Sequence, residues 1–421
     1  MTDTILQEAA KQYKTPFYLF DIDELIQNVE RIKKLAGEDI NICYAMKANP
    51  FLVTALAEKV NRIEACSAGE YDICRNQGIK TEKIILSGVL KKNEELERIF
   101  RKEMTLPVIT AESKEQFFLI SELARKYEKN VRILLRLTSG NQFGMELSIV
   151  EELMIDSLEN PYLKIAGLHY FSGTQKTDVS LMTHELLYLN GIYKEFKNRY
   201  GIELEEMEYG PGVFVEYFQK QKEWEMEAAF QKLKMCAKNM SFQGKLTLEL
   251  GRSLTAACGY YVTTIQELKK NGNASYAIVD GGIHQMHYDG QIMGMKLPFY
   301  RQLPRKSCGG AYWNVCGALC TVNDILAKSM WLNEAQKGDV IVFEKMGAYS
   351  ITEGMALFLS RELPGILVFK EAAGLIQFRP SLLTSLFHKP FLEGEMTDGR
   401  INENLTGVGT GCRLQGGASS Y

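Results

Sequence analysis

Apolar and polar positions follow two different rhythms along the chain. Between residues 40 and 252, short strand-like apolar runs are separated by longer charged stretches. Apolar residues in those stretches recur every three or four positions, as on helices with one buried face. The runs are INICYAMKA (40–48), RIEACSA (62–68), KIILSG (83–88), PVIT (107–110), VRILLRL (131–137), IAGLHYF (165–171), MEYGPG (207–212) and LTLELGR (246–252). The stretches VTALAEKVN (53–61), AGEYDICRNQG (68–78), KNEELERIFRKE (92–103), SKEQFFLISELARKYEK (113–129), IVEELMIDSLE (149–159) and HELLYLNGIYKEFKNRY (184–200) read as helices. Eight strands alternating with helices over about 230 residues predict an α/β fold, a (β/α)8 TIM-like barrel spanning residues 20–255. A doubly wound open sheet would use fewer strands and a GxGxxG turn, and no predicted strand is followed by one.

Past residue 255 the rhythm changes. GYYVTTIQELKK (259–270), SYAIVDGG (275–282), AYWNVCGALC (311–320), GDVIVFEKMGAY (338–349), GILVFK (365–370) and GLIQFRP (374–380) follow one another with turns and little helix. Residues 256–421 therefore predict a mainly β domain. Residues 1–19, which lead into TPFYLFD (15–21), are expected to join it. The Gly/Ser-rich tail GVGTGCRLQGGASSY (407–421) is expected to be mobile.

Composition narrows the function. The 49 Lys and Arg balance 52 Asp and Glu, so no basic or acidic bias points to nucleic acid or to a membrane surface. No apolar run reaches the length of a membrane span, and the N-terminus carries Asp3 and Glu8 where a secretory leader is basic and then apolar. A soluble, cytoplasmic protein is expected. The nine cysteines are scattered without a CxxC pair, which speaks against a disulfide framework and against zinc. Of the five histidines only His284 and His287 are close together, and no metal site is expected.

Active sites of such barrels lie at the C-terminal ends of the strands. That rule selects Lys47, the segment Cys66 to Glu70, Arg136, the segment Ser172 to Gln175, Gly210-Pro211-Gly212, and Glu249 with Arg252. Glycines after the last strands admit backbone N–H groups to a phosphate. A lysine at a strand mouth facing such a cradle points to a Schiff base with pyridoxal phosphate. Each signal is weak alone: Lys47 is otherwise a solvated lysine, Gly210 to Gly212 a turn, and Glu249 with Arg252 a surface ion pair.

The order of the pieces is more specific. YAMKAN (44–49), SAGE (67–70), SGTQ (172–175), GPG (210–212), ELGR (249–252), CTVND (320–324) and GAY (347–349) together resemble the fold type III pyridoxal-phosphate decarboxylases. These include the diaminopimelate, ornithine and arginine decarboxylases, and the resemblance spans about residues 15–370. It implies that Lys47 holds the cofactor and that Glu249 pairs with its pyridine nitrogen. It further implies that Glu64 and Arg136 lie near the ring, and that Thr174, Gly210, Gly212, Arg252 and Tyr349 hold the phosphate. Cys320 matches a cysteine that enters the partner subunit's site and returns a proton to the product, so the resemblance implies a homodimer with shared active sites. Asp324 matches an acidic residue that helps to bind substrate.

Several positions depart from that pattern. Phe171 stands where the family has a histidine stacked on the ring, and Pro211 removes one N–H from the cradle. Diaminopimelate decarboxylases carry CESGD and an arginine after DGG, whose charges grip a zwitterionic distal end. Here Thr321 follows Cys320, and DGGIHQMHYDG (280–290) contains no arginine. These features resemble a decarboxylase of aminoglycoside biosynthesis that acts on glutamate tethered to an acyl carrier protein, and the exosortase-associated decarboxylases. That likeness places His284, His287, Thr321 and Asp324 on the substrate, either a small-molecule amino acid or a carrier-protein-tethered one. Three alternatives are diaminopimelate decarboxylation, a racemase and a non-catalytic regulator. Glu249 at the pyridine nitrogen disfavours the racemase, and the presence of Lys47, Glu249, Arg252, Cys320 and Asp324 disfavours the regulator.

Overall fold

A computed structural model describes residues 1–221, 224–388, 396, 397, 400 and 401. The tail 407–421 lies outside the described residues. The chain divides into two units, one of Leu25–Glu216 and Lys222–Thr255, the other of Met1–Glu24, Tyr217–Gln221 and the residues from Ala256 onward.

The first strand, β1 (Phe17–Asp21), belongs to the second unit. The next eight form a closed parallel barrel: β2 (Ile40–Ala45), β3 (Arg62–Ala65), β4 (Ile84–Leu86), β5 (Val108–Ala111), β6 (Val131–Leu137), β7 (Leu163–Phe171), β8 (Glu206–Gly210) and β9 (Lys245–Leu250). They coincide with the eight predicted runs. Their side chains are almost all buried because helices cover the outside and the strands fill the inside. Cys43, Ile85, Val108, Leu134 and Ala166 form one buried apolar cluster of this unit. Charged side chains are nevertheless buried on these strands: Glu64, Arg136, His169, Glu208 and Glu249. They mark where the fold spends stability on chemistry.

Several helices begin at side-chain caps. Ser67 accepts from Glu70 N at 3.1 Å while the Glu70 carboxylate accepts from Cys66 N at 2.7 Å, so SAGE is a variant of the capping box, shifted back one residue, that starts the helix Ala68–Asn76. Ser113 and Asp178 cap the helices Lys114–Tyr127 and Val179–Tyr200 in the same way. Among the described residues, the helices Asp3–Gln12, Ile22–Ala36 and Met226–Lys238 add to those the apolar spacing predicted. No helix among them is long and apolar enough to cross a membrane.

The second unit is built on a nine-stranded sheet. Its long strand β10 (Gly259–Asn271) pairs with β1 through its first half and with β11 (Ala274–Val279) through its second. The remaining strands are β12 (Tyr300–Leu303), β13 (Gly310–Cys316), β14 (Ile325–Asn333), β15 (Val340–Glu344), β16 (Gly365–Lys370) and β17 (Gly374–Arg379). Leu6, Phe17, Leu19, Val262, Val342 and Leu367 share its core. The boundaries expected at residues 19/20 shift for a plain reason. β1 is locked between β10 and β16, which carries residues 20–24 into this unit. Tyr217–Gln221 joins it because Phe218 pairs with Pro298 and Gln219 N donates to Leu297 O at 2.9 Å.

Candidate active site

Lys47 sits in a 3₁₀ turn, Met46–Ala48, at the C-terminal end of β2. The neighbouring motif residues shape that turn. The Tyr44 hydroxyl donates to Asn49 O at 2.8 Å, and the Asn49 side chain accepts from Phe51 N at 3.1 Å, which starts the next turn at Pro50. YAMKAN thus supplies the lysine and the clamp that aims it.

The Lys47 amine lies 2.9 Å from Glu64 Oε2 and 3.2 Å from Glu249 Oε1, and 3.7 Å from Cys66 Sγ. Glu64 and Glu249 each stand one residue before the end of their strands, β3 and β9, and each is almost fully buried. Burial alone would raise the Glu249 carboxyl. Lys47 and His169 outweigh it and hold Glu249 well below the usual carboxylate range. His169 Nε2 stands 3.1 Å from the other oxygen, Glu249 Oε2. Ligand-type atoms of Glu64, His169 and Glu249 lie within 4.8 Å of one another, but the cation among them is the Lys47 ammonium. Burial, with Glu64 adding to it, pushes the Cys66 thiol well up, which favours the neutral thiol. The Phe171 ring centroid is 6.0 Å from Lys47 Nζ, which places an aromatic face beside the amine.

The loops after β7 and β8 close against each other. Gly212 adopts φ +61°, and a Cβ there would overlap the Gly173 carbonyl oxygen. A Cβ at Gly210 would overlap the Phe171 ring. Lys176 N donates to Gly212 O at 2.8 Å, and the Gln175 side chain holds both N and O of Val215. Beneath them Glu185, a buried carboxylate, accepts from Ser172, Lys176 and Tyr209. Thr174 is exposed between these anchored residues. Arg252 is buried and opens a short helix, Arg252–Thr255, held by Asn28 through the carbonyls of Ser253 and Leu254. Arg136 is buried and donates to Glu112 Oε1 at 2.8 Å.

Within the β unit the predicted residues are distributed differently. Cys320 is exposed, on the loop between β13 and β14. Thr321 is half-buried beside it. Asp324 is buried, and its two oxygens accept from Ile283 N and Leu319 N, both at 2.8 Å. That geometry makes Asp324 a clamp joining the loops at 281–283 and 317–319, since one carboxylate oxygen accepts from each loop's backbone. Tyr349 is half-buried, with φ +62°. His287 is partly exposed, its Nε2 3.6 Å from Glu353. His284 is buried.

Burial, with Arg361 adding to it, brings the His284 imidazole down to about 4. Its pKa in the folded chain is below that in the unfolded chain, so the unfolded chain binds the extra proton between pH 6.5 and 4. Stability should therefore fall as pH drops through that window. His284→Gln should flatten that part of the profile by up to one proton's slope; thermal unfolding from pH 7.5 to 4, compared with wild type, checks this.

The sequence pattern of the pyridoxal-dependent decarboxylase pyridoxal-binding domain matches residues 22–256, more than half of the chain. The chain belongs to the pyridoxal-dependent decarboxylase family. It is an enzyme, a pyridoxal-phosphate-dependent decarboxylase of an amino acid or a derivative of one. Curated relatives of this decarboxylase include L-glutamyl-[BtrI acyl-carrier protein] decarboxylase of Niallia circulans, 28% identical over 380 residues, with 84% of this chain and 88% of the relative covered. Diaminopimelate decarboxylase of Aquifex aeolicus is 27% identical over 365 residues, covering 82% and 84%. The crystal structure of diaminopimelate decarboxylase from M. jannaschii superposes with a TM-score of 0.82 at 23% identity, covering 93% of this chain and 95% of that one.

The decarboxylase's own residues fit pyridoxal phosphate. An amine suited to the aldehyde stands beside two buried carboxylates, Glu64 and Glu249, and an anion of that kind would suit a protonated ring nitrogen. A glycine in left-handed conformation leaves no side chain in the cradle. Lys47, Glu249, Gly210, Gly212, Thr174 and Arg252 would hold the group. When bound, it supplies an electron-accepting ring that stabilises the charge left on Cα as CO2 departs. Glu249, held ionised among buried groups, would favour a protonated ring nitrogen, the form in which that ring accepts electrons best. Sequence reading did not assign His169, Glu112, Glu185 or Glu208. The signal was a charged residue inside an apolar strand run for His169 and Glu208, just past one for Glu112, and inside an amphipathic helix for Glu185.

Proposed function

We propose that this decarboxylase acts on an amino acid whose distal carboxyl is masked, as in a thioester to a carrier protein, and works as a homodimer. The observation that carries the reading is the uncharged set of distal determinants. Thr321 follows Cys320 where a glutamate would read a distal amino group, no arginine follows DGG, and His284 is held neutral. A substrate charge buried without a partner is costly, so a neutral distal end is favoured over a second zwitterionic one. The similarity to an enzyme named for a carrier-protein-bound glutamyl substrate supports the same class. In this reading Cys320 of one copy completes the site around Lys47 of another, and its exposure on a loop is what such a role needs.

The test is CO2 release over a panel of free meso-diaminopimelate, lysine, ornithine, glutamate, glutamine and a glutamyl pantetheine thioester. The thioester should give a kcat/KM at least about tenfold above every free amino acid, the size expected from one unpaired charge. The highest kcat/KM for free diaminopimelate would overturn the reading and leave diaminopimelate decarboxylation.

A further inference from the structure

His169 and Glu208 are register partners on the neighbouring parallel strands β7 and β8. Both side chains are buried, so they stand next to each other in the barrel. His169 turns Nε2 to Glu249 and leaves Nδ1 buried without a partner. Neither carboxyl oxygen of Glu208 meets a partner at ordinary hydrogen-bond geometry among the described residues, although the Cys43 thiol stands beside it. Three unsatisfied buried polar atoms on two adjacent side chains are uncommon, because such atoms are nearly always paired directly or through an enclosed water.

We propose that Glu208 is a positioning residue of the decarboxylation site: its protonated carboxyl donates to His169 Nδ1 through one enclosed water, and so fixes the tautomer that presents Nε2–H to Glu249. The groups facing Glu208 are Cys43, Arg62, Glu64, Glu249 and His169. Burial first, then the anions Glu249 and Glu64, push the Glu208 carboxyl well above the usual range, while Cys43 and Arg62 work against that. A neutral carboxyl has one O–H to give, and the unprotonated Nδ1 is the acceptor adjacent to it in register. With Nδ1 accepting, the ring proton sits on Nε2 and is donated to Glu249 Oε2. Glu249 thereby remains an ionised acceptor on its other oxygen. In the opposite tautomer a bare Nε2 lone pair would face Glu249 and oppose the geometry observed. The inference deepens the decarboxylase reading and rests on it for the task of Glu249.

The experiment is long-range proton–nitrogen NMR of the imidazoles in the full chain, labelled with nitrogen-15 histidine. The chain has five histidines, and a His169→Gln sample identifies the signal. Wild type should show His169 with Nδ1 bare and Nε2 protonated near neutral pH. Glu208→Gln should keep that state, because its amide N–H also donates. Glu208→Met should shift His169 to the other tautomer or to the cation. In the holoenzyme its kcat should fall about tenfold with KM within about twofold, the loss expected for one hydrogen bond to a charged group. A protonated Nδ1 with bare Nε2 in wild type, or His169 signals unchanged in a folded Glu208→Met chain, would overturn the proposal. Should Glu208→Met not fold, the wild-type and Glu208→Gln spectra decide. The tautomer is read without turnover, so failure of this proposal and failure of the decarboxylase reading are separate results.

Discussion

Lys47→Ala is expected to lose decarboxylation by roughly four orders of magnitude, the scale at which removal of a covalent catalytic group is felt. Lys47 is the amine that the turn Met46–Ala48 holds between two buried carboxylates. Borohydride treatment of the wild-type holoenzyme followed by peptide mapping should place the pyridoxyl group on Lys47, and the variant should take up no label. A label on another lysine, with activity retained in the variant, would remove Lys47 from its role. A second readout needs no turnover. In wild type Glu249 is held below its ordinary range, so it stabilises the fold above the unfolded carboxyl pKa, and that stability is lost as pH falls through the lower folded value. Without the ammonium much of that contribution disappears. The stability gap between wild type and Lys47→Ala should be widest near neutral pH and close in acid, where the Glu249 carboxyl is protonated in either protein. A gap independent of pH would mean that the ion pairs do not matter to the fold.

The barrel was legible because its strands are short, apolar and buried on both sides, so that each run stands out against the charged helices. The β unit was less so. β14 has no clean alternation, and its pairing with β13 slips at Trp313 and Val315, with Ser329 at φ +51°. β12 has only four residues, paired along one neighbour. In the site, Lys47 and Glu249 were legible because local motifs contain them. His169 was not, because its link to Glu249 spans from β7 to β9 and exists only once the barrel closes. The buried pair of Arg136 with Glu112, from β6 and the end of β5, has the same origin. Asp324 is a further case. Its place in CTVND resembles a substrate-binding acid, while its carboxylate is engaged by the N–H groups of Ile283 and Leu319, which a motif does not reveal.

If Cys320 serves the partner's site, two impaired proteins should repair each other. Lys47→Ala leaves each copy with an intact Cys320, and Cys320→Ala leaves each copy with an intact Lys47. Neither homodimer has a complete site. A mixed dimer has one site with both residues and one with neither. After equilibration of equal amounts, half of the dimers are mixed, so about a quarter of all sites should be complete. Activity should rise from near zero to roughly that fraction of wild type, with the wild-type KM, because a restored site is an unaltered one. A mixture of Lys47→Ala with Glu249→Gln should stay inactive, since both residues lie in the same barrel and no exchange unites them. That contrast separates a shared site from general stabilisation of a weak subunit by a partner. Mixed dimers isolated through two different affinity tags and found inactive would show that each copy carries its own proton donor, and Cys320 would then be an ordinary exposed cysteine of the β13–β14 loop.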